Sequence, residues 1–140
     1  MSNLQFRPLR EGDSASVNVL FHQLTNESSS DVDFADLIFD SKCHCVVAML
    51  GDDAIGFGSL VRYNVPSKGE VGRIEDVIID EKYHGKGFGK EIMNELISIA
   101  KEKNIHELNL TCKRNRLVAH KLYESLGFEK RESDSFRLSL

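Results

Sequence analysis

The sequence has no apolar run near the ~20 residues that a membrane-spanning helix needs. Its opening stretch, MSNLQFRPLREGD, lacks the apolar core of a signal peptide. Positive charge is not in excess: 18 Lys and Arg stand against 22 Asp and Glu, a net charge of −4. A broad electrostatic footprint for nucleic acid is therefore not expected. Three cysteines, Cys43, Cys45 and Cys112, make an odd set with no disulfide framework, so reduced thiols are expected. His22, His44, His84, His106 and His120 show no metal-ligand spacing. The Cys-His-Cys run at 43–45 puts two thiols on one side of a strand without a second pair, so no metal site is expected. There is no repeat, linker or low-complexity segment. These absences predict a cytoplasmic protein with no membrane or nucleic-acid partner. At 140 residues it fits one domain, 1–140, around one core.

What is present is an alternation of strand and helix patterns. Leu4–Leu9 reads as a strand, and Asp13 or Ser14 can cap a helix carrying Val17, Leu20, Phe21 and Leu24. Asn26–Ser30 reads as a loop and Asp31–Asp40 as a short helix with Phe34, Leu37 and Ile38 inward. Cys43–Leu50 and Ala54–Tyr63 are strands around a Gly-Asp-Asp turn, and Val71–Asp80 is a third. Lys90–Lys103 is the clearest helix, with Phe88, Ile92, Leu96, Ile99 and Ala100 on one face. A strand over His106–Cys112, a helix ending at Gly127 and a strand over Ser135–Leu140 complete the order.

Between the Val71–Asp80 strand and the clearest helix lies EKYHGKGFGKE, with Gly85, Gly87 and Gly89 alternating with Lys86 and Phe88. A P-loop would need a glycine where His84 stands and Ser or Thr where Glu91 stands. A dinucleotide fingerprint would need a glycine at Lys90. Placement is more telling than either motif. A loop at a helix N-terminus offers unsatisfied N–H groups and about half a positive charge, which suits a pyrophosphate. A tight turn without a ligand would have the same composition.

The segment His84–Gly89 resembles the acyl-coenzyme A loop of the GNAT family of N-acetyltransferases, R/Q-x-x-G-x-G/A. Gly87 and Gly89 match, and His84 stands where Arg or Gln is usual. Ala119–Phe128, AHKLYESLGF, is similar to the block that ends the family's last core helix. The set Arg116, Ala119, His120 and Tyr123 also resembles bacterial members that acetylate small amines, aminoalkylphosphonates among them.

The resemblance implies an α/β fold, a mixed central sheet with helices on both faces, and acetyl-CoA as cosubstrate. Pantetheine would lie like an extra strand in a gap between the 71–80 and 106–112 strands. Val77, Ile78 and Ile79 would meet it through main-chain groups. His84, Gly85, Lys86, Gly87, Phe88, Gly89 and Lys90 would surround the pyrophosphate, and Arg116 would bind a cofactor phosphate or an anionic substrate. Tyr123 would be the acid that protonates the leaving thiolate. Glu75 would be the general base, acting through a water. Adjacent strand residues point to opposite faces, so only one of Glu75 and Asp76 is expected to face the acceptor. The expected acceptor is a primary amine on a small molecule. Protein N-acetylation and a non-catalytic acyl-coenzyme A-binding module are the rivals. An exposed C-terminal strand would permit a homodimer.

Overall fold

The computed structural model describes residues 2–24 and 34–140. The loop expected at 26–30 and the first residues of the helix expected at 31–40 lie outside them. The chain divides into two compact units, Met1–Leu110 and Thr111–Leu140.

The first unit holds a five-stranded sheet in the order β1-β2-β3-β4-β5: Leu4–Pro8, Cys43–Leu50, Asp53–Val65, Gly69–Ile79 and Leu108–Asn109. The first three pairings are antiparallel and β4–β5 is parallel, so the sheet is mixed. Alternation on β3 assigns its neighbours to two faces. Phe57 points into a cluster with Val17 and Leu20 of α1 (Ser14–Leu24), Phe34, Val47 and Ile78. The Phe21 ring stands edge-on to Phe34 and Phe57 at 5.6 and 5.2 Å. Leu24, at the end of α1, is exposed rather than part of this stripe. The short helix α2 (Ala35–Ile38) adds Leu37 and Ile38 to the margin of the cluster.

The opposite face of β3 carries Gly56 and Gly58. A Cβ on Gly58 would lie 2.8 Å from Ile92 Cγ2 and 3.0 Å from Leu96 Cδ1. Both residues belong to α3 (Phe88–Glu102), which buries Ile92, Met93, Leu96 and Ala100. The glycines let α3 approach the sheet closely.

Asp13, just before α1, spends its carboxylate on a tertiary tie. Arg7 donates to both oxygens at 2.7 and 2.8 Å, and the Arg10 N–H donates at 2.9 Å. Asp13 is buried, and the Arg7 guanidinium holds its pKa below the ordinary carboxylate value. The folded state therefore releases this proton more readily than the unfolded chain. The stability that Asp13 contributes is present above the unfolded pKa near 3.9 and is lost as pH falls through the folded value. Asp13→Asn leaves Arg7 without its partner and is expected to cost about 1–3 kcal/mol at neutral pH. In denaturant titrations the difference from wild type should shrink as the pH is lowered.

Two strands differ from expectation. The strand expected at 106–112 is ordered as β5 only over Leu108–Asn109, paired with Gly72 and Arg73. Residues 135–140 carry no regular secondary structure, although Phe136 and Leu138 alternate as a strand would, and both are exposed. Alternation gives a segment a sheet-like face, but a strand also needs a neighbour to complete its hydrogen bonds.

Candidate active site

The ladder between β3 and β4 breaks at one place. Phe57 pairs with Ile78 and Ser59 with Glu75, so Gly58 alone stands opposite both Asp76 and Val77. Two residues against one make a β-bulge. Asp76 has a φ of 53°, a left-handed value that is uncommon for a side-chain-bearing residue. The bulge is braced from β3, where the buried Ser59 hydroxyl donates to the Glu75 carbonyl oxygen at 2.8 Å. It also breaks the strict alternation of faces along 75–78. Ser59 and Phe57 share the α1 face, so their partners Glu75 and Ile78 do too, and Asp76 and Val77 make up the bulge between them.

The two carboxylates then differ in kind. Arg73 Nε donates to Glu75 Oε1 at 2.6 Å, so Glu75 is held in an ion pair. Asp76 has no hydrogen bond or ion pair among the described residues. Asp76 is exposed as a residue, but neighbouring protein atoms shield part of its carboxylate from water and the Glu75 charge lies beside it, so its pKa is raised above the ordinary value. The Arg73–Glu75 pair was missed from sequence, although opposite charges two apart on a strand are a signal for it.

Beyond the bulge, the β4 edge that faces β5 has no strand partner among the described residues from Ile74 to Ile79. Of the three residues expected along a pantetheine arm, Val77 sits in the bulge itself. The Ile78 side chain is buried in the α1 cluster, and Ile79 follows on the α3 face, where its Cδ1 would lie 2.8 Å from a Cβ on Gly56.

β4 leads into a single 3-10 turn, Glu81–Tyr83, capped by Asp80, whose carboxylate accepts from the Lys82 N–H. Gln23 at the end of α1 accepts from the Glu81 N–H at 3.0 Å. His84 Nε2 lies 2.8 Å from the Ile79 carbonyl oxygen, which can only accept, so this nitrogen carries the proton. The ring is thus tied back to its own strand. Gly85 and Gly87 have φ of 78° and 81°, and Gly87 is the N-cap of α3. The first bond of the helix into its cap runs from the Glu91 N–H to the Gly87 carbonyl at 3.3 Å. The N–H groups of Phe88, Gly89 and Lys90 precede it and have no helical acceptor. Lys82, Lys86 and Lys90 are exposed, and the Phe88 ring lies 6.3 Å from Tyr83.

In the second unit, α4 spans Leu117–Ser125 with Arg116 as its N-cap. His120 Nε2 donates to the Lys113 carbonyl at 2.9 Å, which closes the turn before the helix. The helix ends in a Schellman motif. Phe128 N–H donates to Tyr123 O at 3.0 Å and Gly127 N–H to Glu124 O at 3.0 Å, with Gly127 at φ 97°. The same motif brings the Phe128 ring edge-on to the Tyr123 ring at 6.1 Å. The Tyr-x-x-x-Gly-Phe block is therefore a helix stop that also seats the tyrosine. Desolvation and nearby Cys112 raise the Tyr123 pKa, with Arg116 opposing, so its phenol keeps its proton at neutral pH.

Among the described residues no group of three His, Cys, Asp or Glu could hold a metal ion, and no helix is long and apolar enough to cross a membrane.

Known proteins agree with this architecture. A glucosamine 6-phosphate N-acetyltransferase of Trypanosoma brucei brucei is 28% identical over 93% of this chain and 92% of its own length. A probable glucosamine 6-phosphate N-acetyltransferase of Drosophila melanogaster is 37% identical over 55% of this chain. That match covers only 35% of the Drosophila protein. The crystal structure of a Trypanosoma brucei acetyltransferase superposes with a TM-score of 0.83 at 28% identity, covering 98% of this chain and 99% of that one. A putative acetyltransferase from Agrobacterium tumefaciens superposes at 0.86 with 21% identity, covering 97% and 99%. A sequence profile of the Acetyltransferase (GNAT) family matches residues 14–128. The chain belongs to the GNAT family of N-acetyltransferases, whose acetyl donor is generally acetyl-CoA.

Proposed function

We propose that residues 1–140 act as one N-acetyltransferase domain that moves an acetyl group from acetyl-CoA to the primary amine of a small molecule. The observation that carries this reading is the run from bulge to loop to helix. A β4 edge at 74–79 with no strand partner among the described residues leads through the glycine loop to the N–H groups at the start of α3 that have no helical acceptor. The edge suits the amide-rich pantetheine arm and the helix start suits the pyrophosphate. Lys86 and Lys90 would add positive charge, with His84 and Gly85 shaping the turn. Arg116 would reach a phosphate of the cofactor or of the acceptor.

In the proposed reaction a neutral amine attacks the thioester carbonyl carbon. A main-chain N–H near Val77 or Ile78 would meet the oxygen as negative charge develops. The carbon–sulfur bond then breaks and the Tyr123 O–H protonates the thiolate. The amine's proton goes to a carboxylate at the bulge. Glu75 can take it through a water, as read from the sequence. Asp76 is the second reading, and two observations favour it: Glu75 is engaged by Arg73, and the Asp76 carboxylate has no ion-pair partner among the described residues and a raised pKa.

Phosphorylated amino sugars are the first acceptors to test, because the relatives described above bear glucosamine 6-phosphate N-acetyltransferase names. An amine panel of glucosamine 6-phosphate, glucosamine, an aminoalkylphosphonate and a peptide with a free N-terminus, read by thiol release, tests the reading. Turnover with a small amine and none with the peptide is expected. Turnover with the peptide alone would make the chain a protein acetyltransferase, and tight coenzyme A binding without turnover on any amine would make it a binding module.

The loop has its own test. A Cβ at Gly87 would meet nothing within 4 Å, so alanine there strains only the backbone at φ 81°. That strain is about 1–2 kcal/mol. Gly87→Ala is expected to lower stability by this amount and to weaken coenzyme A binding at least tenfold in calorimetric titration. Unchanged affinity in the folded variant would remove the pyrophosphate from this loop.

A further inference from the structure

We infer that Cys43 and Cys45 form a redox-active dithiol that a hydroperoxide converts to an intrachain disulfide. Both cysteines lie on β2, two residues apart and so on one side of it. Cys45 packs against the α1 cluster and pairs in register with Ser59, whose next partner is Glu75. The two sulfurs are 3.6 Å apart and hydrogen-bonded to each other. Both residues are partly exposed, so a small oxidant can reach them. Cys112 belongs to the other compact unit.

The pair is asymmetric. Either sulfur can donate in this hydrogen bond, which lowers the Cys43 pKa and raises that of Cys45, the one packed against the α1 cluster, while Asp40 and Asp76 act against ionisation of either. Cys43 is therefore the attacking sulfur and Cys45 the resolving one. The Cys43 thiolate attacks the outer oxygen of the hydroperoxide. The O–O bond breaks, an alcohol or water leaves, and Cys43 becomes a sulfenic acid. The Cys45 sulfur then attacks the Cys43 sulfur, the S–S bond forms, and hydroxide leaves with the Cys45 proton as water. Two thiols lose two electrons to one peroxide bond.

Bridging fits the backbone but not loosely. Two strand residues span roughly 6.6 Å between Cα atoms, at the long end of the range disulfides accept. A bridge there is strained and so easily reduced, which marks a reversible disulfide rather than a structural one. The inference stands on the geometry of β2 and does not depend on the acceptor proposed above.

The experiment treats the intact protein with hydrogen peroxide, alkylates it, and digests it with trypsin. Cleavage after Lys42 and Arg62 places both cysteines in one peptide, Cys43–Arg62. That peptide is expected to lose two hydrogens and resist alkylation until a dithiol reductant restores it. Cys112→Ser should behave as wild type. Cys45→Ser should accumulate a sulfenic acid at Cys43 that dimedone captures, and Cys43→Ser should give none at Cys45. Bridging to Cys112, capture mainly at Cys45, or two freely alkylated thiols after peroxide treatment would each overturn the inference.

Discussion

Tyr123→Phe is expected to lower acetyl transfer by roughly 10²–10⁴, the usual contribution of a positioned acid. Phenylalanine keeps the ring, so the edge-on contact with Phe128 and the Schellman stop at Gly127 persist. Only the O–H goes, and the stability cost should stay within about 0.5–1.5 kcal/mol, the value of one hydrogen bond. Acetyl-CoA affinity should barely move, because the proton is needed only as the thiolate leaves. The raised pKa of Tyr123 sets the sign with pH. The phenol is the active form, so its contribution persists through neutral and mildly alkaline pH and fades only when the phenol ionises. A thioester with a more acidic thiol needs less help, so the deficit should shrink with that donor. A deficit of equal size for both donors would mean that Tyr123 positions a substrate and does not give up a proton.

Asp76→Asn is expected to lower kcat/KM by a similar roughly 10²–10⁴ at neutral pH, with a stability equal to or above wild type. The raised pKa explains the second part. The folded state holds this proton more tightly than the unfolded chain. Asp76 therefore stabilises the fold most below its unfolded pKa, and that contribution falls as pH rises through the folded value. At neutral pH the ionised side chain is a cost that asparagine removes. Asparagine also tolerates the left-handed φ of 53°. Glu75→Gln is the paired measurement. It breaks the ion pair with Arg73, which is only partly buried, so its stability cost should be within about 1 kcal/mol and its kinetic cost smaller than that of Asp76→Asn. The reverse order, with Glu75→Gln losing most of its rate at low pH, returns the base role to Glu75.

Features set by local chemistry were legible in the sequence. The α3 helix follows from a 3.6-residue stripe of Phe88, Ile92, Leu96 and Ala100, and the loop before it from glycines at 85 and 87 that adopt left-handed φ. The stop at Gly127 and the tyrosine before it are equally local, because a Schellman motif is closed by residues within six of one another. Four of the five strands fell where alternation and turn residues placed them.

What tertiary structure decided is everything that depends on which residue of one strand faces which of the next. Period-two patterning assigns a face but not a register, so it passed over the two-against-one pairing at Gly58. From that single mismatch follow the left-handed Asp76 and the α1-side placement of Glu75. The closeness of α3 to Gly56 and Gly58 and the shortening of β5 to two residues are likewise decided between distant segments. The residues expected to do the chemistry were named through the family resemblance of two short motifs, at 84–89 and 119–128. The Arg73–Glu75 pair was within reach of the sequence, two residues apart on one strand, but the desolvation that raises the Asp76 pKa comes from packing that only the folded sheet supplies.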